Sequence, residues 1–154
     1  AKHGLAEPRL LVEPGRSLVA NAGITLYTAG ILKTLPNIRK IVAVDGGMSD
    51  NIRTALYNAD YEAVIANKAD QPRTEVVSLC GKHCESGDAV VIDGSIQQVD
   101  LGDIVCVFAT GAYCYTMPSS YNRQPRPAIV FVKDGQARVV TRRETYADLM
   151  ARDI

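Results

Sequence analysis

Apolar and polar positions along the chain fall mostly into short runs of strand length, punctuated by glycine, proline and asparagine. Residues 9–12 form a brief apolar run stopped by Pro14 and Gly15. Ser17 is placed to cap a short helix over residues 18–22, which Gly23 would end. Residues 24–35 alternate loosely and are rich in Thr, Tyr and Ile, as a strand would be, and 40–44 read as a second strand broken by Gly46 and Gly47. Further strands are expected over 63–66, 74–80 and 89–92. The nearly continuous apolar run 103–108 suits a strand buried on both faces. The clearest hairpin is 129–133, then Asp134-Gly135, then 136–141, because a type I′ turn needs positive φ at both central residues. A short helix closes the chain over 144–151, with Tyr146, Leu149 and Met150 on one face and Thr141 and Glu144 as its capping box.

From about residue 24 onward this pattern predicts a mainly β domain, a barrel or sandwich of many short strands. The first stretch differs: a strand, a Pro-Gly turn and a helix make a βα unit that such a domain does not need. A chain that begins inside another domain and keeps its last βα element would explain it. At 154 residues there is room for one core, or for one domain and a piece of another. The formal net charge is zero, so no basic field invites nucleic acid. The longest apolar runs, 103–109 and 128–132, are far too short to span a membrane, and the opening Ala1-Lys2-His3-Gly4 carries no apolar leader. Cys80, Cys84, Cys106 and Cys114 match neither a disulfide framework nor a zinc template, so free thiols in a reducing cytoplasm and no metal are expected.

Four clusters carry potential chemistry. Glu13-Pro14-Gly15-Arg16 lies between the expected strand and helix, where backbone N–H groups, a bare glycine and a forked cation suit a phosphate. As an isolated motif it reads rather as a plain Pro-Gly turn beside a solvated arginine, since Pro-Gly is common in loops. In Asp45-Gly46-Gly47-Met48-Ser49-Asp50-Asn51-Ile52-Arg53, followed by Tyr57, the paired glycines demand an unusual backbone path. Arg53 and Tyr57, four apart, would share a helical face and clamp a carboxylate; a surface turn with one packed tyrosine is the alternative. His83-Cys84-Glu85-Ser86-Gly87-Asp88 sets a thiol among carboxylates. Neighbouring negative charge favours the protonated thiol, which suits a proton donor better than a nucleophile, against the plainer reading of an inert cysteine before a turn. In Gly111-Ala112-Tyr113-Cys114-Tyr115, small residues would free the Tyr113 hydroxyl to reach a ligand, unless the aromatics simply fill the core.

Taken in order, Glu-Pro-Gly-Arg, Val-Asp-Gly-Gly-Met-Ser-Asp-Asn-Ile-Arg, Cys-Glu-Ser-Gly-Asp and Gly-Ala-Tyr resemble the C-terminal part of the alanine-racemase-like (fold-type III) pyridoxal-phosphate decarboxylases, and within that group the diaminopimelate decarboxylases. The ending, from Ser120-Tyr121-Asn122 through Arg126-Pro127 to Arg143-Glu144-Thr145-Tyr146, fits the same family, while Thr54 departs from the proline often found after the arginine. The resemblance covers essentially the whole chain. It implies a two-domain enzyme, a (β/α)8 barrel followed by a C-terminal β-domain. Residues 1–23 would be the barrel's last strand and helix and 24–154 the β-domain. It also implies pyridoxal 5'-phosphate as cofactor, with Glu13, Pro14, Gly15, Arg16 and Tyr113 near it. Arg16, Arg53, Tyr57, Glu85 and Tyr113 would contact a small-molecule substrate, meso-diaminopimelate. Cys84 would donate the proton, and Cys84 and Glu85 would reach into the partner subunit's active site, making the enzyme a homodimer.

The same resemblance implies that this chain alone is inactive. The lysine that holds the family's cofactor lies on an early barrel strand, and none of Lys2, Lys33, Lys40, Lys68, Lys82 or Lys133 sits in that motif. Two other readings stand beside it. One is a related decarboxylase of ornithine, arginine or carboxynorspermidine, against which Cys-Glu-Ser-Gly-Asp and Asn-Ile-Arg weigh. The other is a non-catalytic β-domain for dimerisation or regulation, in which Cys84 contributes nothing to catalysis.

Overall fold

The computed structural model describes residues 3–4 and 6–154. Its main body is a six-stranded sheet. The strands in chain order are β1 (Thr25–Leu35), β2 (Arg39–Val44), β3 (Ala63–Ile65), β4 (Arg73–Cys80), β5 (Ala89–Gln97) and β6 (Ile104–Val107). Across the sheet they run β3-β6-β1-β2-β4-β5. All neighbours are antiparallel except β2 and β4, which pair in parallel with Val42 opposite Leu79. The sheet curls until its two outer strands approach. The Gln97 side chain, at the end of β5, accepts the backbone N–H of Ile65, at the end of β3, at 3.0 Å. The body is thus a nearly closed barrel.

Alternation places the core inside that curl. Val42 and Val44 of β2, Val77 and Leu79 of β4, Val90, Val91 and Ile96 of β5, and Val105 and Val107 of β6 are all buried. β-branched residues dominate these positions, as a pleated, enclosed surface favours. β1 contributes Tyr27 and Ala29, then bulges between Ala29 and Leu32, so that Ile31 is exposed while Leu32 still packs against the core. The expected two-sided burial of β6 holds for Val105, Cys106 and Val107, while Ile104 and Phe108 at its ends are partly open.

A separate two-stranded ribbon follows, β7 (Ile129–Lys133) and β8 (Gln136–Thr141). Asp134 and Gly135 both have positive φ, 51° and 73°, as the expected turn requires. The described residues also form three one-turn α-helices, α1 (Arg16–Val19), α2 (Arg53–Tyr57) and α3 (Tyr146–Met150), and three 3-10 turns, Ala20–Ala22, Ala66–Lys68 and Tyr121–Arg123. No helix among the described residues is long and apolar enough to cross a membrane.

Several local expectations need correction. Residues 9–12 form no strand and are exposed; a strand exists only with a hydrogen-bonding neighbour, and they meet none among the described residues. The first helix begins at Arg16 with Gly15 before it, so Ser17 lies inside the helix and does not cap it. The last helix is shorter than expected, and its capping box is formed by Thr145 and Asp148. Glu144 is instead drawn to Arg126, accepting its backbone N–H at 2.9 Å, while Arg142 holds the Asp148 carboxylate in place at 2.6 and 2.7 Å.

Candidate functional site

The loop after β6 and the turn that follows α1 are stitched together through their backbones. Thr110 N–H donates to the Gly23 carbonyl and Gly111 N–H to the Ala20 carbonyl, both at 3.0 Å. The approach is so close that a Cβ on Gly111 would lie 2.1 Å from the Val19 carbonyl oxygen, and one on Gly23 would lie 2.4 Å from the Gly111 Cα. Two glycines therefore let the first turn dock on the barrel, and the docking sets Arg16. Its guanidinium donates to the Ala109 carbonyl at 3.2 Å and lies 5.9 Å above the Tyr61 ring.

Tyr113 links this arginine's turn to the next. Its hydroxyl would be only 3.0 Å from a Cβ on Gly15, so bare backbone faces the phenol there. Its own backbone sits at φ 60°, a left-handed conformation that an aromatic residue adopts at a cost of about 1 kcal/mol or more. On its other side, the Arg53 guanidinium lies 5.8 Å from the Tyr113 ring and 5.2 Å from that of Tyr57. The expected shared face of Arg53 and Tyr57 is thus realised on α2.

The corner is electropositive. The Nε atoms of Arg16 and Arg53 are buried with no hydrogen-bond partner, and neither guanidinium meets a carboxylate, among the described residues. Beneath them Tyr61 and Cys114 face each other at 3.5 Å. Burial, then the Cys114 contact, pushes the Tyr61 hydroxyl above its ordinary value, and burial likewise raises the Cys114 thiol. Both stay neutral and leave the arginine charges uncompensated. An oxyanion entering this corner would find forked donors and the Tyr113 hydroxyl. Because α1 is a single turn, it adds little helix dipole, and the anion preference rests on Arg16 and Arg53. Glu13 and Pro14 are exposed beside the corner.

Cys84 and Glu85 stand elsewhere. Cys84 is exposed and its sulfur accepts from the Asn122 amide at 3.6 Å; Glu85 accepts from the Tyr121 hydroxyl. Neither shares a hydrogen bond or ring contact with Arg16, Arg53, Tyr57 or Tyr113. Their loop passes α2 at Gly87, where a Cβ would touch the Ala55 methyl at 3.8 Å.

The sequence reading missed what supports this loop. Asp88 is buried and accepts three N–H groups: Met48 backbone at 2.6 Å, His83 backbone at 2.7 Å and the His83 Nδ1 side at 2.8 Å. A Cβ on Gly47 or Gly81 would lie 2.4 or 2.3 Å from its carboxylate. A Cβ on Gly46 would lie 2.2 Å from the Tyr27 ring, and the Tyr27 hydroxyl donates to Asp50. The paired glycines therefore serve a buried polar network, which joins the two motifs from behind. Burial raises the Asp50 carboxyl, against the opposing pull of the Tyr27 and Gly47 hydrogen bonds. Only the Gly-Gly pair hinted at this network; Tyr61 lies outside every motif.

Known proteins resemble this chain in sequence and fold. The family of pyridoxal-dependent decarboxylases, C-terminal sheet domain, matches residues 18–111. The diaminopimelate decarboxylase of Bacillus subtilis (strain 168) is 51% identical over 154 residues, all of this chain and 35% of the relative. A crystal structure of diaminopimelate decarboxylase from M. jannaschii in co-complex with L-lysine is 38% identical with a TM-score of 0.84, over 99% of this chain and 35% of that one. The lysine/ornithine decarboxylase of Vibrio vulnificus, complexed with cadaverine, shares the fold at a TM-score of 0.62 and 20% identity, over 74% of this chain and 30% of that one. The chain thus spans about a third of the length of the relatives it matches. With its curled sheet and the glycine-docked turn at its mouth, this chain belongs to the C-terminal sheet domain family of the pyridoxal-dependent decarboxylases.

Proposed function

We propose that the protein carrying this domain is a diaminopimelate decarboxylase, which converts meso-2,6-diaminopimelate to L-lysine and carbon dioxide in the cytoplasm. The observation that carries the reading is the convergence of Gly15, Arg16, Arg53 and Tyr113 on one corner whose two buried Nε groups lack partners. Similarity to relatives of that name along the whole chain supports it. Residues 1–23 are the last strand and helix of a (β/α)8 barrel and 24–154 the β-domain. In that assembly residues 9–12 gain the neighbours they lack here.

Pyridoxal phosphate fits this corner, since a dianionic group needs donors and bare backbone. Glu13, Pro14, Gly15 and Arg16 would hold its phosphate, and Tyr113 would sit near cofactor and substrate. When bound, the cofactor supplies the electron sink for the breaking bond. The chain's own residues do the rest. Arg53 and Tyr57 hold the remote carboxylate of a substrate that has an amino-acid group at both ends, and Glu85 takes its remote amine. Cys84 delivers a proton to the carbon that has lost carbon dioxide. Cys84 and Glu85, which share no hydrogen bond with the arginine corner of their own chain, would serve the corner of a second subunit in a homodimer.

Mixing tests the reading. In the full-length protein, Cys84→Ala should lower release of carbon dioxide from diaminopimelate roughly a hundredfold with cofactor binding intact. A second variant lacking the cofactor lysine should be dead alone. Mixed, the two should regain activity through heterodimers with one intact site. A Cys84→Ala protein as active as the parent, or two dead variants that stay dead on mixing after proven subunit exchange, would each defeat the shared site. Preference for ornithine or arginine would defeat the substrate.

A further inference from the structure

The segment between the barrel and the hairpin turns through two consecutive left-handed residues, neither of them glycine. Asn122 and Arg123 are consecutive and both left-handed, with φ 54° at each. Asparagine tolerates this; arginine does so at a cost of about 1 kcal/mol. What holds the turn is visible on both sides. Arg123 donates to Asp153 at 3.0 and 3.4 Å and to the Leu149 carbonyl at 3.2 Å, which ties the turn to the end of α3. Tyr121 lies against the His83 ring, with centroids 5.8 Å apart. The His83 side chain is buried, bonded to Asp88, and seated where Gly47 and Gly81 leave room for that carboxylate. Between these anchors, the Tyr121 hydroxyl donates to Glu85 and the Asn122 amide to the Cys84 sulfur.

Neighbouring residues of one strained turn thus hold the two neighbouring residues assigned above to substrate and proton. We propose that Tyr121 and Asn122 are positioning residues, a strap that orients Glu85 and Cys84 separately before a substrate arrives. The proposal rests on the reading of Cys84 and Glu85 in the previous subsection, but the strap makes its own demand. Its two arms act on different steps. Losing a group that orients a substrate contact weakens binding in ground and transition states alike, which raises KM; misplacing a proton donor slows only the step that uses it. The Glu85 contact also leaves a mark on the phenol, because accepting its hydrogen bond and repelling its anion raise the Tyr121 hydroxyl above the ordinary tyrosine value.

Two measurements test it. In the full-length protein, Asn122→Gly keeps the left-handed backbone while removing the amide, and should lower kcat roughly tenfold with KM little changed. Tyr121→Phe should do the reverse, raising KM roughly tenfold with kcat within about twofold. In this chain, with tyrosines labelled at Cζ, the Tyr121 carbon signal should titrate above the ordinary range, and Glu85→Gln should bring it back. Tyr121 and Glu85 are exposed, so neither change threatens the fold. A titration indifferent to Glu85→Gln overturns the strap, and so do two variants that alter kcat and KM in the same proportions. If the titration responds while Cys84→Ala remains fully active, the Tyr121 arm stands, and the Asn122 arm falls together with the assignment of Cys84 as donor.

Discussion

Arg53 shows how far a single side chain is defined by its surroundings. It stacks between two tyrosine rings, its Nε is buried without a partner, and no carboxylate of the described residues neutralises it. A cation so placed gains most from an incoming anion. Arg53→Ala in the full-length protein should therefore raise the substrate KM by roughly ten- to a hundredfold, the range of a hydrogen bond to a charged group. The affinity for pyridoxal phosphate, followed by its absorbance, should hardly change. Lost cofactor with unchanged substrate affinity would mean that the roles of Arg53 and Arg16 are exchanged. Arg53 and Tyr57 were legible because a helical spacing of four brings them together. Asp88 was not, since its partner Met48 lies 40 positions away and only folding joins them. Tyr61 was invisible for the same reason: its ring lies under Arg16, with β1, β2 and α2 between the two in the chain.

At the scale of elements, periodicity located all six strands of the barrel and the hairpin, and erred where neighbours decide the outcome. The 89–92 run extends to Gln97 as β5 because β4 offers a partner along its length. Residues 9–12 were expected to be a strand by composition, yet no strand beside them offers a ladder. The docked turn α1 raises a different question, because its position depends on a glycine rather than on apolar burial. Gly111→Ala would drive a methyl into the Val19 carbonyl at 2.1 Å, and backbone on both sides has little room to yield. The substitution should release the first turn while sparing the sheet, at a cost of about 1–3 kcal/mol for overpacking. Limited proteolysis should then cut within residues 16–22 much faster than in the parent, with the strand signal in circular dichroism retained. Unaltered cleavage would show that the turn docks by other means.

For the molecule as a whole, much apolar surface lies uncovered: Leu10 and Leu11 before α1, and Val132 on the hairpin, are each at least 70% exposed. The chain assayed by itself with pyridoxal phosphate and diaminopimelate should release no carbon dioxide and show no imine absorbance, because none of its lysines stands in the family's cofactor motif. Turnover by the purified chain would overturn that expectation. Strand order carries a separate consequence, for the time course of synthesis. β6 is the last barrel strand made, yet it lies between β1, the first, and β3. Until residues 104–107 have left the ribosome, β1 lacks one neighbour and β3 lacks its sheet partner altogether. Closure thus depends on contacts that span most of the domain, the kind that slow folding. Through that interval the edges of β1 and β3 stay open to foreign strands, a window in which a growing chain would profit from a chaperone.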